Sequence, residues 1–288
     1  MQTIVVGLIA GTIYALIAAG ITLVYKATRA VNFAQAEIGT LALYMTWWVS
    51  DKHGQPWWLG ALAALAVGVG IALLFDRLVM RHLVTASQIT KTVATIGLLG
   101  LLAALEARWF AGSAKSLPAP LNHGGFTVAG VRVTPTQELA VIVVAAVAFA
   151  LAVFLRGTRF GLAILASADD PVAAQLMGVP RAKVSAVTWA IAGGLSVIAS
   201  LLIEPTVGVL SPSAFSTLFI YGLTGALLGG LTSLPGAFAG GLLVGLAQAE
   251  VVAHLLYPQV PGPENLAMLV IVLVVLLVRP QGLLGAKE

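Results

Sequence analysis

The chain has 288 residues, 59% of them hydrophobic and 9% charged, with a mean hydropathy of +1.01. An ordinary soluble domain carries roughly 25% charged residues, so this composition excludes a soluble globular fold and points to an all-α, polytopic transmembrane helical bundle. The net charge of +4 does not indicate a nucleic-acid partner, because the basic residues fall between apolar runs, and the lack of cysteine excludes disulfides, thiolate metal sites and cysteine nucleophiles.

Nine apolar segments can be marked in chain order, over roughly 4–25, 34–50, 57–75, 93–110, 137–155, 184–204, 215–231, 236–255 and 265–278. Some are shorter than the roughly 20 residues that cross hydrocarbon, and one could be re-entrant, so about 8–10 spans are expected. The start, MQTIVVG, has no basic residue ahead of its apolar run, which reads as a retained span and not a cleaved signal. Within it Thr12 and Tyr14 read as packing positions. Small residues four apart (Gly7–Gly11, Gly225–Gly229, Gly236–Gly240 and Gly241–Gly245) would form flat stripes on helices and allow close backbone approach.

Lys26, Arg29 and Asn32 lie between the first two segments, and Glu37 begins the second, close to Asn32 and Gln35. An ionisable group within a span is a functional candidate; the competing reading of Glu37 is a salt bridge with Lys26 or Arg29. Glu204 and Glu250 fall near span ends, where a solvated carboxylate costs little, and Glu106 and Arg108 read as interfacial. Residues 111–136 form the longest loop, in which FTVAGVRV, 126–133, alternates around an Ala-Gly turn and predicts a small hairpin. It would cap the bundle or meet a partner.

With the N-terminus outside and the C-terminus cytoplasmic, Lys26, Arg29, Arg77, Arg81, Lys91, Arg156, Arg159, Arg181, Lys183, Arg279 and Lys287 lie inside, and Lys52, Arg108, Lys115 and Arg132 outside. Trp47, Trp48, Trp57, Trp58 and Trp109 then all fall at outer ends, as an interfacial aromatic belt would.

No GxxxxGK[ST], HExxH or GxSxG motif occurs, and the four histidines are scattered. Glu250 and His254, at i,i+4, read as a local polar pair, and no metal site or catalytic residue is expected. The chain is read as a non-enzyme.

The exception to the membrane pattern is a basic, turn-rich island over 156–183, ahead of Ser185. Asp170 can cap a helix and Pro171 suits its first turn; Gly178 suits the position after its end, and Pro180 prevents continuation. The resulting helix, over 172–177, is about two turns long and too short to stand alone. It is either a docking element for a partner or an ordinary loop with an accidental cap.

The segment TRFGLAILASADDPVAAQLMGVPRAKV resembles the cytoplasmic coupling segment of the branched-chain amino acid ABC transporter permeases, the LivH-type subunits. Residues 7–37, GLIAGTIYALIAAGITLVYKATRAVNFAQAE, resemble the N-terminal signature of that family; 229–250, GGLTSLPGAFAGGLLVGLAQAE, its late hairpin; and 279–285, RPQGLLG, its C-terminal end. The chain departs from the family pattern at Gln35, Ala36 and Leu165. The resemblance implies a single integral membrane permease domain over 1–288, in a bacterial cytoplasmic membrane. It also implies an importer of branched-chain or other hydrophobic amino acids, driven by two ATP-binding cassette subunits that carry the ATP and magnesium. A homologous second permease subunit and an extracytoplasmic solute-binding protein would complete it. Arg159, Asp170, Leu176, Met177, Gly178 and Arg181 are the ATPase-coupling candidates it implies, and Asn32, Gln35 and Glu37 the candidates for the translocation path or inner gate. Urea or short amides are alternative cargoes on the same architecture. An ion-coupled secondary transporter is the alternative of a different class, disfavoured by the scarcity of carboxylates away from span ends.

Overall fold

In a computed structural model, which describes residues 2–110, 115–117, 125–128, 131–208, 210, 215–251, 263–278 and 282–284, each apolar segment marked in the sequence is helical. They are α1 (Gln2–Thr28), α2 (Gln35–Thr46, continued by a π-helical stretch Trp47–Lys52), α3 (Trp57–Phe75, continued by π-helical Asp76–Met80), α4 (Gln88–Phe110), α5 (Pro135–Gly157), α8 (Arg181–Val207), α9 (Ser216–Gly229), α10 (Leu234–Val251) and α11 (Pro263–Val278). Five described helices are long and apolar enough to cross a membrane: α1, α3 with its extension, α4, α5 and α8. The predicted hairpin is present as β1 (Phe126–Val128) paired antiparallel with β2 (Val131–Val133). His254, Arg279, Lys287 and most of the loop before the hairpin lie outside the described residues.

The helices alternate in direction. At one end Lys26, after which α1 closes, reaches the α9–α10 turn, and Asp76 at the end of α3 meets Ser185 at the start of α8. At the other end the strand-like pair Lys115–Leu210 ties the long loop to the chain after α8. Trp48, Trp58 and Trp109 are exposed at this second end, as an aromatic belt requires.

Helix α1 is the centre of the bundle, packed by α8, α9 and α10. Leu16, Ile17, Ile21 and Leu23 are fully buried, on all sides of a helix that is apolar all round. The glycine stripes explain how three helices reach it. A Cβ on Gly7 would lie 2.8 Å from the Gly245 carbonyl oxygen, and one on Gly11 2.9 Å from Leu242 Cα. One on Gly225 would lie 2.9 Å from Gly241 Cα, and Gly229 and Gly236 meet backbone to backbone. The stripes therefore pair with one another, α1 on α10 and α9 on α10, at distances that only small residues permit.

Three expectations are corrected. The island holds two helices, α6 (Arg159–Asp169) and α7 (Pro171–Leu176), where one was predicted. Thr158 starts α6 by accepting a hydrogen bond from Gly161 N at 3.0 Å, and Gly161, Ile164 and Ala168 bury one face of it. Glu106 is fully buried, not interfacial, because its position on α4 turns it inward. Glu204 is buried too, and its Oε1 accepts from Leu117 N at 3.2 Å, so it fastens the long loop to α8 in place of facing water.

Replacing Gly241, whose added Cβ would run into the Ala15 backbone, with Val should cost about 1–3 kcal/mol of overpacking. Gly70→Ala, where a Cβ meets nothing within 4 Å, should leave stability unchanged or raise it. Melting temperatures of the two purified variants in detergent check both.

Candidate coupling surface and buried polar corner

The link between α1 and α2 breaks the helix where its residues are buried. Arg29 turns the chain with φ +57°, and Ala30, Asn32 and Ala34 have no exposure. Unbonded backbone groups in such a place cost several kcal/mol. Side chains supply the partners. Thr95 on α4 accepts from Phe33 N at 3.2 Å and donates to Val31 O at 3.0 Å. Asn32 Oδ1 accepts from Ala34 N at 3.1 Å, while its Nδ2 donates to Gln35 Oε1 at 2.9 Å. Gln35 Nε2 in turn donates to Ala192 O on α8 at 2.8 Å, and Ser196 Oγ donates to Gln35 O. A Cβ on Gly20 would strike the Gln35 amide, so α1 closes over it. Asn32, Gln35 and Thr95 thus join α1, α2, α4 and α8. Glu37 is buried in the first turn of α2, where the helix dipole favours its charge. The hydrogen bonds of Lys26 and Arg29, its expected partners, go to the carbonyls of Thr232 and Ala168, each at 3.0 Å.

The second candidate site is the island. Asp170 Oδ1 accepts from both Val172 N and Ala173 N at 2.9 Å, and Pro171 occupies the first position of α7. After Met177, Gly178 takes φ +85°, a conformation in which an L side chain is strained. It lets Gly178 N and Val179 N return to Gln175 O and Ala174 O, closing the helix as the sequence predicts. Ala174 is buried beneath α7, while Val172, Leu176 and Met177 stand 67%, 84% and 84% exposed. Arg159 is exposed at the start of α6, and Arg181 is half-buried at the start of α8. Asp170, Leu176, Met177 and Gly178 thus lie together on α7 and its two ends, with Arg181 opening the next helix, while Arg159 lies at the far end of α6. Arg29 joins this surface to the polar corner, since Ala168 is in the last turn of α6.

A family model described as the permease component of a branched-chain amino acid transport system matches residues 3–279. The chain belongs to that family. The permease is 30% identical to the high-affinity branched-chain amino acid transport permease BraD of Pseudomonas aeruginosa, covering 100% of this chain and 96% of that one. It is 28% identical to LivH of Escherichia coli K12 over the same shares, and 26% identical to the autoinducer 2 import permease LsrC of E. coli, covering 83% and 67%. A solved structure of PsaBC from Streptococcus pneumoniae in complex with Fab has a similar fold, with a TM-score of 0.54 at 14% identity, covering 98% and 93% of the two chains. The chain is a multi-pass membrane protein and a non-catalytic ABC importer permease, homologous to bacterial inner-membrane permeases.

Several residues of this permease that hold the site together were not singled out in the sequence. Thr95, Ser196, Ser185 and Asp76 look like incidental polar positions in apolar runs, and only the fold brings them onto the helix connections. Tyr14, read as packing, donates from its hydroxyl to Gln248 Oε1 on α10 at 2.9 Å. Asn32, Gln35 and Glu37 are not in the lining of the cavities beside Asp169, Lys91, Thr134 and Trp109.

If the corner is a clamp, Gln35→Leu should destabilise the permease by about 1–3 kcal/mol, by stranding buried partners. A melting temperature equal to wild type, measured on the purified variant, would show that these bonds do not hold the fold.

Proposed function

We propose that the chain is one permease subunit of an ATP-driven importer whose cargo is a branched-chain or other apolar amino acid. The observation that carries the coupling is α7, a rigidly capped helix that presents Val172, Leu176 and Met177 outward. Fully burying one such side chain stabilises by about 1.5–3 kcal/mol, so this surface favours a partner. The partner is an ATP-binding cassette subunit, one of two, which would hold the ATP and magnesium; this chain carries no cofactor of its own. Arg159 and Arg181 would flank the docked helix as boundary charges.

The charge bias puts α7 inside and the N-terminus outside, with the C-terminus cytoplasmic. The hairpin end then faces an extracytoplasmic solute-binding protein. The apolar outer faces of α4, α5 and α11 are left to lipid and to a homologous second permease subunit. About 8–10 spans fit this arrangement.

Closure of the ATPase pair would shift α7 and α6 together. The Arg29 bond to Ala168 passes that shift to the α1–α2 corner, and the Lys26 bond to Thr232 passes it to the α9–α10 turn. Asn32, Gln35 and Glu37 then act as the inner gate, a packed corner with two arrangements. Tyr14, Gln248 and Thr224 are neutral polar groups on α1, α10 and α9, which suits an apolar amino acid.

The relative named for autoinducer 2 import favours a second reading, in which the same architecture carries a different small solute, such as urea or a short amide. Reconstitution with the ATPases, second permease and binding protein separates them. ATP-dependent uptake of radiolabelled leucine, competed by isoleucine and valine, is the expected result. ATP-dependent uptake of urea alone would favour the alternative, and uptake without ATP would overturn the importer reading.

In the same vesicles Gly178→Val should strain the end of α7 by about 1–2 kcal/mol. Uptake should fall roughly tenfold while ATP hydrolysis and membrane insertion persist. Normal uptake would remove α7 from the coupling path.

A further inference from the structure

Beside α7 lies a cavity of about 300 Å³ that shares Arg181 with the coupling surface and none of its lining with Asn32, Gln35 or Glu37. Its walls come from the end of α1, the π-helical end of α3, and the first turns of α4 and α8, with Gln175 of α7 at its edge. Three cations line it: Arg81, Lys91 and Arg181. Lys91 is only 9% exposed, and among the described residues its side chain has no hydrogen bond and no ion pair. Its ammonium reaches the open space of the cavity, where it shares the lining with two guanidinium groups, and an anion there would offset their mutual repulsion.

The carboxylate in the wall does not meet that need. Asp76 accepts from the Ser185 hydroxyl, and its Oδ2 stands 3.9 Å from Arg81 Nη2. The lining therefore carries three positive charges against one negative. The backbone adds to the imbalance. Helix α8 starts at this cavity, with Arg181, Ala182 and Ser185 of its first turns in the lining and no side-chain cap at Pro180, so the positive end of its dipole lies close by.

We infer that this cavity binds a phosphate-class oxyanion, presented by the headgroup of an anionic phospholipid or supplied as free phosphate. The surroundings suit the lipid source. Leu74 and Leu78 on the α3 side, and Ile89 and Val93 on the α4 side, are 57%, 61%, 76% and 57% exposed, so acyl chains have an apolar path away from the cavity. Basic pockets between helices at the cytoplasmic boundary recognise such headgroups. Bound there, the phosphate would neutralise Lys91 and tie α3, α4 and α8 together next to the coupling helix.

The test is native mass spectrometry of the full-length permease, titrated with phosphatidylglycerol, phosphatidylcholine and inorganic phosphate. Wild type should take up one phosphatidylglycerol at least about tenfold more tightly than phosphatidylcholine, a difference of about 1.4 kcal/mol. Lys91→Gln and, separately, Arg81→Gln should each abolish that preference, while Lys52→Gln at the opposite end should keep it. The Arg81 variant removes an exposed side chain and so guards against misfolding of the Lys91 variant. Phosphate binding that depends on Lys91, without a preference between the two lipids, would identify the soluble ion as the source. Equal binding of every probe by wild type and both cavity variants would overturn the proposal. So would binding of no probe, with Lys91 shielded from acetylation only when the ATPase subunits are present, which would assign the site to an acidic side chain of a partner.

Discussion

A chain that leaves the helix inside an apolar bundle must satisfy its own backbone, because lipid offers no hydrogen bonds. The link between α1 and α2 lives under this constraint. Val31 O, Phe33 N and Ala34 N are met by Thr95 and Asn32, and Gln35 carries the tie on to α8. Four helices are therefore held by one short stretch, and none of them can shift without reorganising it. The glycine crossings depend on the same frame, since α1 meets α10 along most of its length only if its end is fixed.

The corner is also where the outer surface of the α7 end connects to the interior. Arg29 occupies a left-handed conformation, at a cost of roughly 1–2 kcal/mol for a residue with a side chain. Its guanidinium spans to the last turn of α6, and α6 leads through the Asp170 cap directly into α7. Lys26, one turn earlier on α1, holds the α9–α10 turn. Asp76 and Ser185 tie α3 to α8 just beyond Arg181. The C-terminal Gly282–Leu284 stretch bonds back to the end of α9 through Leu283 N and Leu228 O at 2.7 Å. The elements around α7 are thus linked by directed bonds to α1, and α1 to the α9–α10 turn.

Much of this was legible in the sequence. Long apolar runs, the glycine spacings, the Asp-Pro start and Gly-Val-Pro stop of α7, and the alternating strands at 126–128 and 131–133 each act locally, and local rules read them. What stayed hidden depends on which way a face turns. Glu106 and Glu204 lie near helix ends, where position alone suggests solvent, yet the bundle buries both. Lys91 counts as one more positive charge at the α7 end until packing sets it beside Arg81 and Arg181 around one cavity. Helix α6 was missed because its apolar face is short and interrupted by Gly161, and that glycine is needed where α6 crosses Leu155 of α5. Asn32 and Gln35 were marked as candidates from resemblance; their hydrogen-bonded role as a joint between helices required coordinates.

The most direct test of the account is whether α7 is the surface that engages the ATPase. The chain has no cysteine, so Leu176→Cys supplies a unique handle on that helix. In the assembled transporter, a thiol-reactive photo-crosslinker at this position should join the permease to an ATP-binding subunit in high yield, while one at Lys52→Cys should not. Crosslinking to that subunit from position 52, with none from position 176, would contradict both the orientation and the coupling role of α7.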